Sequence, residues 1–121
     1  MNITTKAPNY EASEKTLAFA KDRFGSVARL LGSDKDTALL EIELGRSTEH
    51  HKSGQIYRAE ANLDVAGKLY RAAAEGEAIE AAIDKAAGEL SREVKKARGR
   101  TKRLIRGAGA KMKSWLRFGR L

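Results

Sequence analysis

The sequence predicts an α+β fold, with one four-stranded mixed sheet and two helices packed on one of its faces. Three observations lead there. Apolar residues recur at steps of three and four over residues 13–31 and again from about 77 to 97, the period of a helix. They alternate singly over residues 37–44, 55–65 and 68–75, the period of a strand with one buried face. The order β-α-β-β-β-α then gives each strand one polar and one apolar side, which a single layer of helices on one side satisfies.

The elements follow in order. "NITTK", residues 2–6, is short and β-prone, and Pro8 and Asn9 close it. Ser13 is placed as a helix N-cap. Leu17, Ala20, Phe24, Val27, Ala28 and Leu31 form the apolar stripe behind it. Gly32 stands where a C-terminal glycine belongs. "GSDKD" is expected as a loop. In "TALLEIEL", Ala38, Leu40, Ile42 and Leu44 share one face, with Glu41 and Glu43 on the other.

"GRSTEHHKSG" is a polar hairpin loop. In "QIYRAEANLDV", Tyr57, Ala59, Ala61, Leu63 and Val65 face inward, against Arg58, Glu60, Asn62 and Asp64. "AG" at 66–67 is a tight turn. Tyr70, Ala72 and Ala74 continue the core in the fourth strand. A second helix begins near Glu77, with Ile79, Ile83, Ala86, Leu90, Val94 and Ala97 as its stripe. The first helix is a crossover, so strands one and two are expected to be parallel. Residues 1–106 form one α+β domain on this reading, and residues 107–121 a basic C-terminal tail.

Composition narrows the function. The chain has 121 residues, 33% of them charged and 6% aromatic, so its core must be aliphatic and alanine-rich. It has no cysteine, which excludes a disulfide scaffold, a thiolate metal site and a cysteine nucleophile. No segment approaches the ~20 apolar residues of a membrane span, and the N-terminus lacks an apolar run. A cytoplasmic location is expected.

The net charge of +8 is unevenly spread. From Val94 to the end there are 11 Lys or Arg and no acid, which leaves 13 bases against 16 acids in the first 93 residues. On a helical wheel Lys85, Arg92, Lys96 and Arg103 fall within roughly 40° of one another, nearly opposite Ile79, Ile83, Leu90 and Val94. Lys95, Arg98, Arg100 and Lys102 widen this ridge. Successive members stand one or two turns apart, ~5–11 Å, similar to the spacing of phosphates along a strand. Complementation of the helix dipole accounts for two or three bases in a last turn, at roughly 0.3–1 kcal/mol each. It does not account for 11. A polyanion partner does.

These residues resemble a known family. The element order, "MNIT" at the start, "YRAEANLDVAGKLYRAAAEGEAIEAAID" and the interleaved bases of "AIDKAAGELSREVKKAR" are similar to the short ribosome hibernation-promoting factors, the group that includes protein Y. The resemblance covers roughly residues 1–100. It implies a partner, the small ribosomal subunit and its rRNA, bound in the channel of messenger RNA and of transfer RNA at the A and P sites. It implies inhibition by occupancy, without catalysis or cofactor. Carried over by position, the contacts are Arg92, Lys95, Lys96 and Arg98 on the second helix, with Lys21, Arg23 and Arg29 on the first. Glu80, Gly88 and Glu89 depart from the family's pattern. The chain is too short for the dimerisation domain of long family members, so a monomer is expected away from the ribosome.

Other constellations are weaker. His50 and His51, beside Glu49, lack further metal ligands. Glu41 and Glu43 share a strand face but have no nucleophile near them. "GAG" at 107–109 lacks the Lys-Ser/Thr of a phosphate loop. No residue set argues for an enzyme, a metal or a small-molecule substrate. Trp115 and Phe118 in the tail fit core packing, base stacking or a mobile end equally. Two rivals remain. A double-stranded-RNA-binding domain has related topology, but bases usually open its last helix, where this chain has "EGEAIEAAID". A membrane-surface protein would use the basic tail, with "KMKSWLRF" as an interfacial segment.

Overall fold

The computed structural model describes residues 1–47 and 56–107, with side chains described up to residue 99. Its elements are β1 (Asn2–Lys6), α1 (Glu14–Gly25), two 3-10 turns (Ser26–Leu30 and Gly32–Thr37), β2 (Leu39–Arg46), β3 (Tyr57–Val65), β4 (Lys68–Gly76) and α2 (Ile79–Gly107). The sheet runs β1-β2-β3-β4. β1 is parallel to β2, as the crossover requires, and the other pairs are antiparallel. The tail from 108, with Trp115 and Phe118, and the loop residues 48–55, with His50 and His51, lie outside the described residues.

α1 starts where its cap predicts, with the Ser13 hydroxyl accepting from the Thr16 N–H at 3.1 Å. It ends six residues earlier than the apolar period suggests. The Ser26 hydroxyl donates to the Arg23 carbonyl at 2.8 Å, and the chain tightens into 3-10 turns in place of a longer helix and a loop. Val27 and Leu31 stay buried all the same; residues three apart eclipse in a 3-10 turn, which holds Val27 on the side of Phe24. Gly32, at φ 57°, makes the bend between the two turns.

At the far end of β2, the Asn9 side chain acts as a substitute strand residue. Its Oδ1 accepts from the Arg46 N–H at 3.0 Å and its Nδ2 donates to the Arg46 carbonyl at 3.2 Å. A Cβ on Gly45 would lie 2.5 Å from that Oδ1, so glycine is what lets Asn9 reach the strand. Between β3 and β4, Ala66 and Gly67 both have positive φ, 51° and 78°. That is the two-residue hairpin turn whose twist suits the strands.

One side of the sheet carries the core. Leu40, Ile42 and Leu44 of β2 and Ala59, Ala61, Leu63 and Val65 of β3 meet Phe24, Val27 and Leu31 from the α1 side. They also meet Ile83, Ala86, Leu90 and Val94 from α2. Alanines on β3, β4 and α2 keep this layer thin. Gly76 sits where β4 turns into α2, and a Cβ there would come within 3.0 Å of the Ala82 backbone nitrogen. Burial along the described part of α2 ends at Val94, although the helix continues through Gly88 and Gly99 to Gly107. Among the described residues no helix lies over the other side of the sheet.

Candidate nucleic-acid interface

The fold sorts the sequence-predicted bases into two kinds. Arg92, Lys95 and Lys96 are exposed on α2 and make no ion pair among the described residues. Lys85 is exposed too, with its Nζ donating to the Glu75 carbonyl at 3.3 Å, which ties α2 to the end of β4. Arg98 behaves differently. One nitrogen, Nη2, donates to the Leu31 carbonyl and to Asp34 Oδ2, each at 3.1 Å. Its side chain is only 33% exposed. Arg98 therefore links α2 to the connection between α1 and β2, and only its Nε–H and Nη1 hydrogens remain for a ligand. Arg100, Lys102 and Arg103 follow on the same helix, and their side chains lie outside the described part.

The first helix divides in the same way. Lys21 is exposed and makes no ion pair among the described residues. Arg23 is engaged on three sides. Its Nε donates to Asp84 Oδ1 of α2 at 3.1 Å, its Nη1 to Asp22 Oδ2 at 2.8 Å, and its guanidinium lies 4.4 Å from the centre of the Phe19 ring. It joins α1 to α2 while its side chain stays 47% exposed. Arg29, on the first 3-10 turn, is exposed, and its one hydrogen bond is a long one of 3.3 Å from Nε to the Ser26 carbonyl.

Two grooves meet at Arg29. One, of about 500 Å³, runs along the end of α1 past Lys21 and Arg23. The other, of about 790 Å³, lies between the 3-10 turns and α2 and is lined by Lys95, Arg98 and Asp34 among others. Arg29 lines both. Lys21, Arg29 and Lys95 thus form a line of bases from α1 across to α2, with Arg92 and Lys96 beside it on the exposed side of the helix. Such a surface can hold phosphates at several points without enclosing a small molecule.

Nothing in the sequence ranks Arg29 above Lys21, and nothing in it pairs Asp34 with Arg98 or Asp84 with Arg23. Those pairs join residues more than sixty positions apart. The remaining signal is Asp84, an acid on the wheel between the apolar stripe and the basic ridge, where a neighbouring helix would meet it.

The described residues contain no group of three His, Cys, Asp or Glu side chains placed to hold a metal, and no helix among them is long and apolar enough to cross a membrane. A shift in acidity lies on the other side of the sheet. Burial pushes the Glu60 carboxyl up, but hydrogen bonding from Arg71 and the charges of Arg58 and Arg71 outweigh it and leave the carboxyl below its ordinary value.

The fold is similar to solved structures. The N-terminal domain of Thermus thermophilus protein Y matches with a TM-score of 0.64 at 24% identity, over 79% of this chain and 98% of that one. A ribosomal subunit interface protein from Coxiella burnetii matches with a TM-score of 0.65 at 14% identity, over 82% of this chain and 99% of that one. At these identities the likeness is one of fold. No curated protein sequence matches the chain. The family model described as sigma 54 modulation protein / S30EA ribosomal protein matches residues 2–102, so the chain belongs to that family of ribosome-associated factors, which are not enzymes.

Proposed function

We propose that this protein binds the small ribosomal subunit in the channel used by messenger RNA and by transfer RNA at the A and P sites, and silences the ribosome by occupying it. The observation that carries the reading is the line Lys21–Arg29–Lys95, flanked by Arg92 and Lys96, exposed on the helical side of the molecule with no acid among the described residues paired to Lys21, Lys95, Lys96 or Arg92. Mutual repulsion among these bases is relieved when phosphates lie over them. Arg23 and Arg98 act mainly by holding α1 and the 3-10 turns against α2, so that the line is continuous. The folded body supplies the bulk that excludes translation's ligands. The protein acts in the cytoplasm as a monomer that joins ribosomes under conditions of arrested growth, through ribosomal RNA.

Co-sedimentation with ribosomes and separated subunits across a salt series tests this. Association with the small subunit near one to one, weakened by salt and lost when messenger and transfer RNA fill the channel, is the expected result. Binding of many copies per ribosome, indifferent to those ligands, would overturn it and favour a general RNA binder. Charge reversal of Lys95 and Lys96 together should lower the slope of log affinity against log salt by ~0.7–0.9 for each phosphate no longer neutralised. An unchanged slope would remove this helix from the binding surface.

A further inference from the structure

The groove at the end of α1 holds bases of two kinds. Lys21 and Arg29 are exposed and make no ion pair among the described residues. Arg23 lines the same groove but is placed poorly for a phosphate. Its Nε donates to Asp84 Oδ1 and its Nη1 to Asp22 Oδ2. Two carboxylates against one guanidinium leave an excess of negative charge at this spot, and a phosphate brought there would be repelled by both acids.

What Arg23 offers is a flat surface. Hydrogen bonds to one carboxylate on α1 and one on α2 fix the direction of its guanidinium. The Phe19 ring lies against one side of it, 4.4 Å from the guanidinium carbon to the ring centre. Nearly half of the side chain is exposed all the same. A planar cation held by its edge and backed on one side keeps its other side for another planar group, and unpaired nucleobases stack on such planes. Ile3 lines the groove as well, so a base entering it meets an apolar wall. Asp22 lines it too, and its Oδ1 accepts no hydrogen bond among the described residues.

We infer that the Arg23 guanidinium is a stacking platform for an unpaired base of the bound RNA, and that Asp22 selects a base carrying an exocyclic amine. Lys21 and Arg29 hold the phosphates on either side. Asp22 Oδ1 accepts from an amine such as N4 of cytosine. Uracil turns a carbonyl oxygen toward the same carboxylate, and two acceptors repel. This role rests on the RNA-binding function proposed above and gives it a sequence preference, which phosphate contacts alone lack.

The test is fluorescence anisotropy of the full chain with labelled oligocytidylate and oligouridylate of about ten nucleotides, each across a salt series at neutral pH. The two oligomers share a backbone and differ in the edge of the base. Oligocytidylate should bind about fivefold tighter or more, with the same slope of log affinity against log salt, because the phosphate contacts are common to both. Arg23→Lys keeps the charge and removes the plane. It should weaken oligocytidylate binding about fivefold or more without altering the slope. Asp22→Asn should bring the ratio of the two affinities close to one. Wild-type melting curves in both variants separate these losses from misfolding, and the preference of the wild-type chain needs no variant at all. Equal wild-type affinity for the two oligomers would overturn the inference and leave the RNA-binding reading in place. So would a preference that survives Asp22→Asn, or undiminished affinity in Arg23→Lys. Binding of neither oligomer would overturn both.

Discussion

Arg98 and Lys96 are two residues apart and both basic, yet they do different work. Lys96 projects from α2 without an ion pair among the described residues, while Arg98 is held by Asp34 and the Leu31 carbonyl. Asp34→Ala should cost about 1 kcal/mol in urea denaturation, the upper end for a half-exposed pair. Lys96→Ala should stay within about 0.5 kcal/mol of wild type. In RNA binding both should weaken, the first because Arg98 and the groove wall lose their position. Equal stability of the two variants would show that the Arg98 link is not structural. Glu60 carries a second prediction. Its carboxyl is held below the ordinary value of 4.5, so the unfolded chain takes up the proton first as pH falls. The stability it contributes is complete above about pH 4.5 and is lost as pH drops through the folded value. Glu60→Gln should therefore lose about 1 kcal/mol at neutral pH and show a flatter decline in stability on acidification. Alternation in the sequence puts Glu60 on the outer face correctly. It does not reveal the burial, because the cover comes from Arg58 beside it and Arg71 on the next strand.

At the scale of elements, the strands were legible nearly to the residue, because alternation has only two phases and a wrong one would expose Leu40, Ile42 and Leu44 together. The order β-α-β-β-β-α followed from the change between helical and strand periods, and the parallel first pair from the crossover. The end of α1 was not legible, since a 3-10 turn keeps Val27 and Leu31 on the buried side as a helix would. Two glycines, Gly88 and Gly99, lie inside α2, and the helix continues through both. A Cβ at Gly88 would meet only the Arg92 Nη2 at 3.9 Å, and one at Gly99 would meet nothing within 4 Å. Gly88→Ala and Gly99→Ala should each stabilise the protein by up to about 1 kcal/mol, read as a higher melting temperature. At the β3–β4 turn, Ala66 holds a left-handed conformation that costs an ordinary residue roughly 1 kcal/mol or more. Ala66→Asn should recover part of it. A fall in melting temperature there would mean that the turn is not the two-residue form.

At the scale of the whole molecule, the candidate interface was half legible. The surplus of bases along α2 was written in the sequence, because a wheel needs only local geometry. The line through Lys21, Arg29 and Lys95 was not, because it depends on how the 3-10 turns bring the end of α1 beside α2. From Val94 to Gly107 α2 carries bases and no acid, while the first 93 residues hold 13 bases against 16 acids, so the molecule is an electric dipole. A polyanion's field then exerts a torque on it as well as a pull. The protein turns its helices toward the target while still diffusing, so a larger share of encounters is productive. Stopped-flow kinetics with a single-stranded oligoribonucleotide should then show added salt slowing association more than it speeds dissociation. On the function proposed above, the protein competes with ligands that come and go from a shared channel, and there speed of arrival decides occupancy as much as strength of hold.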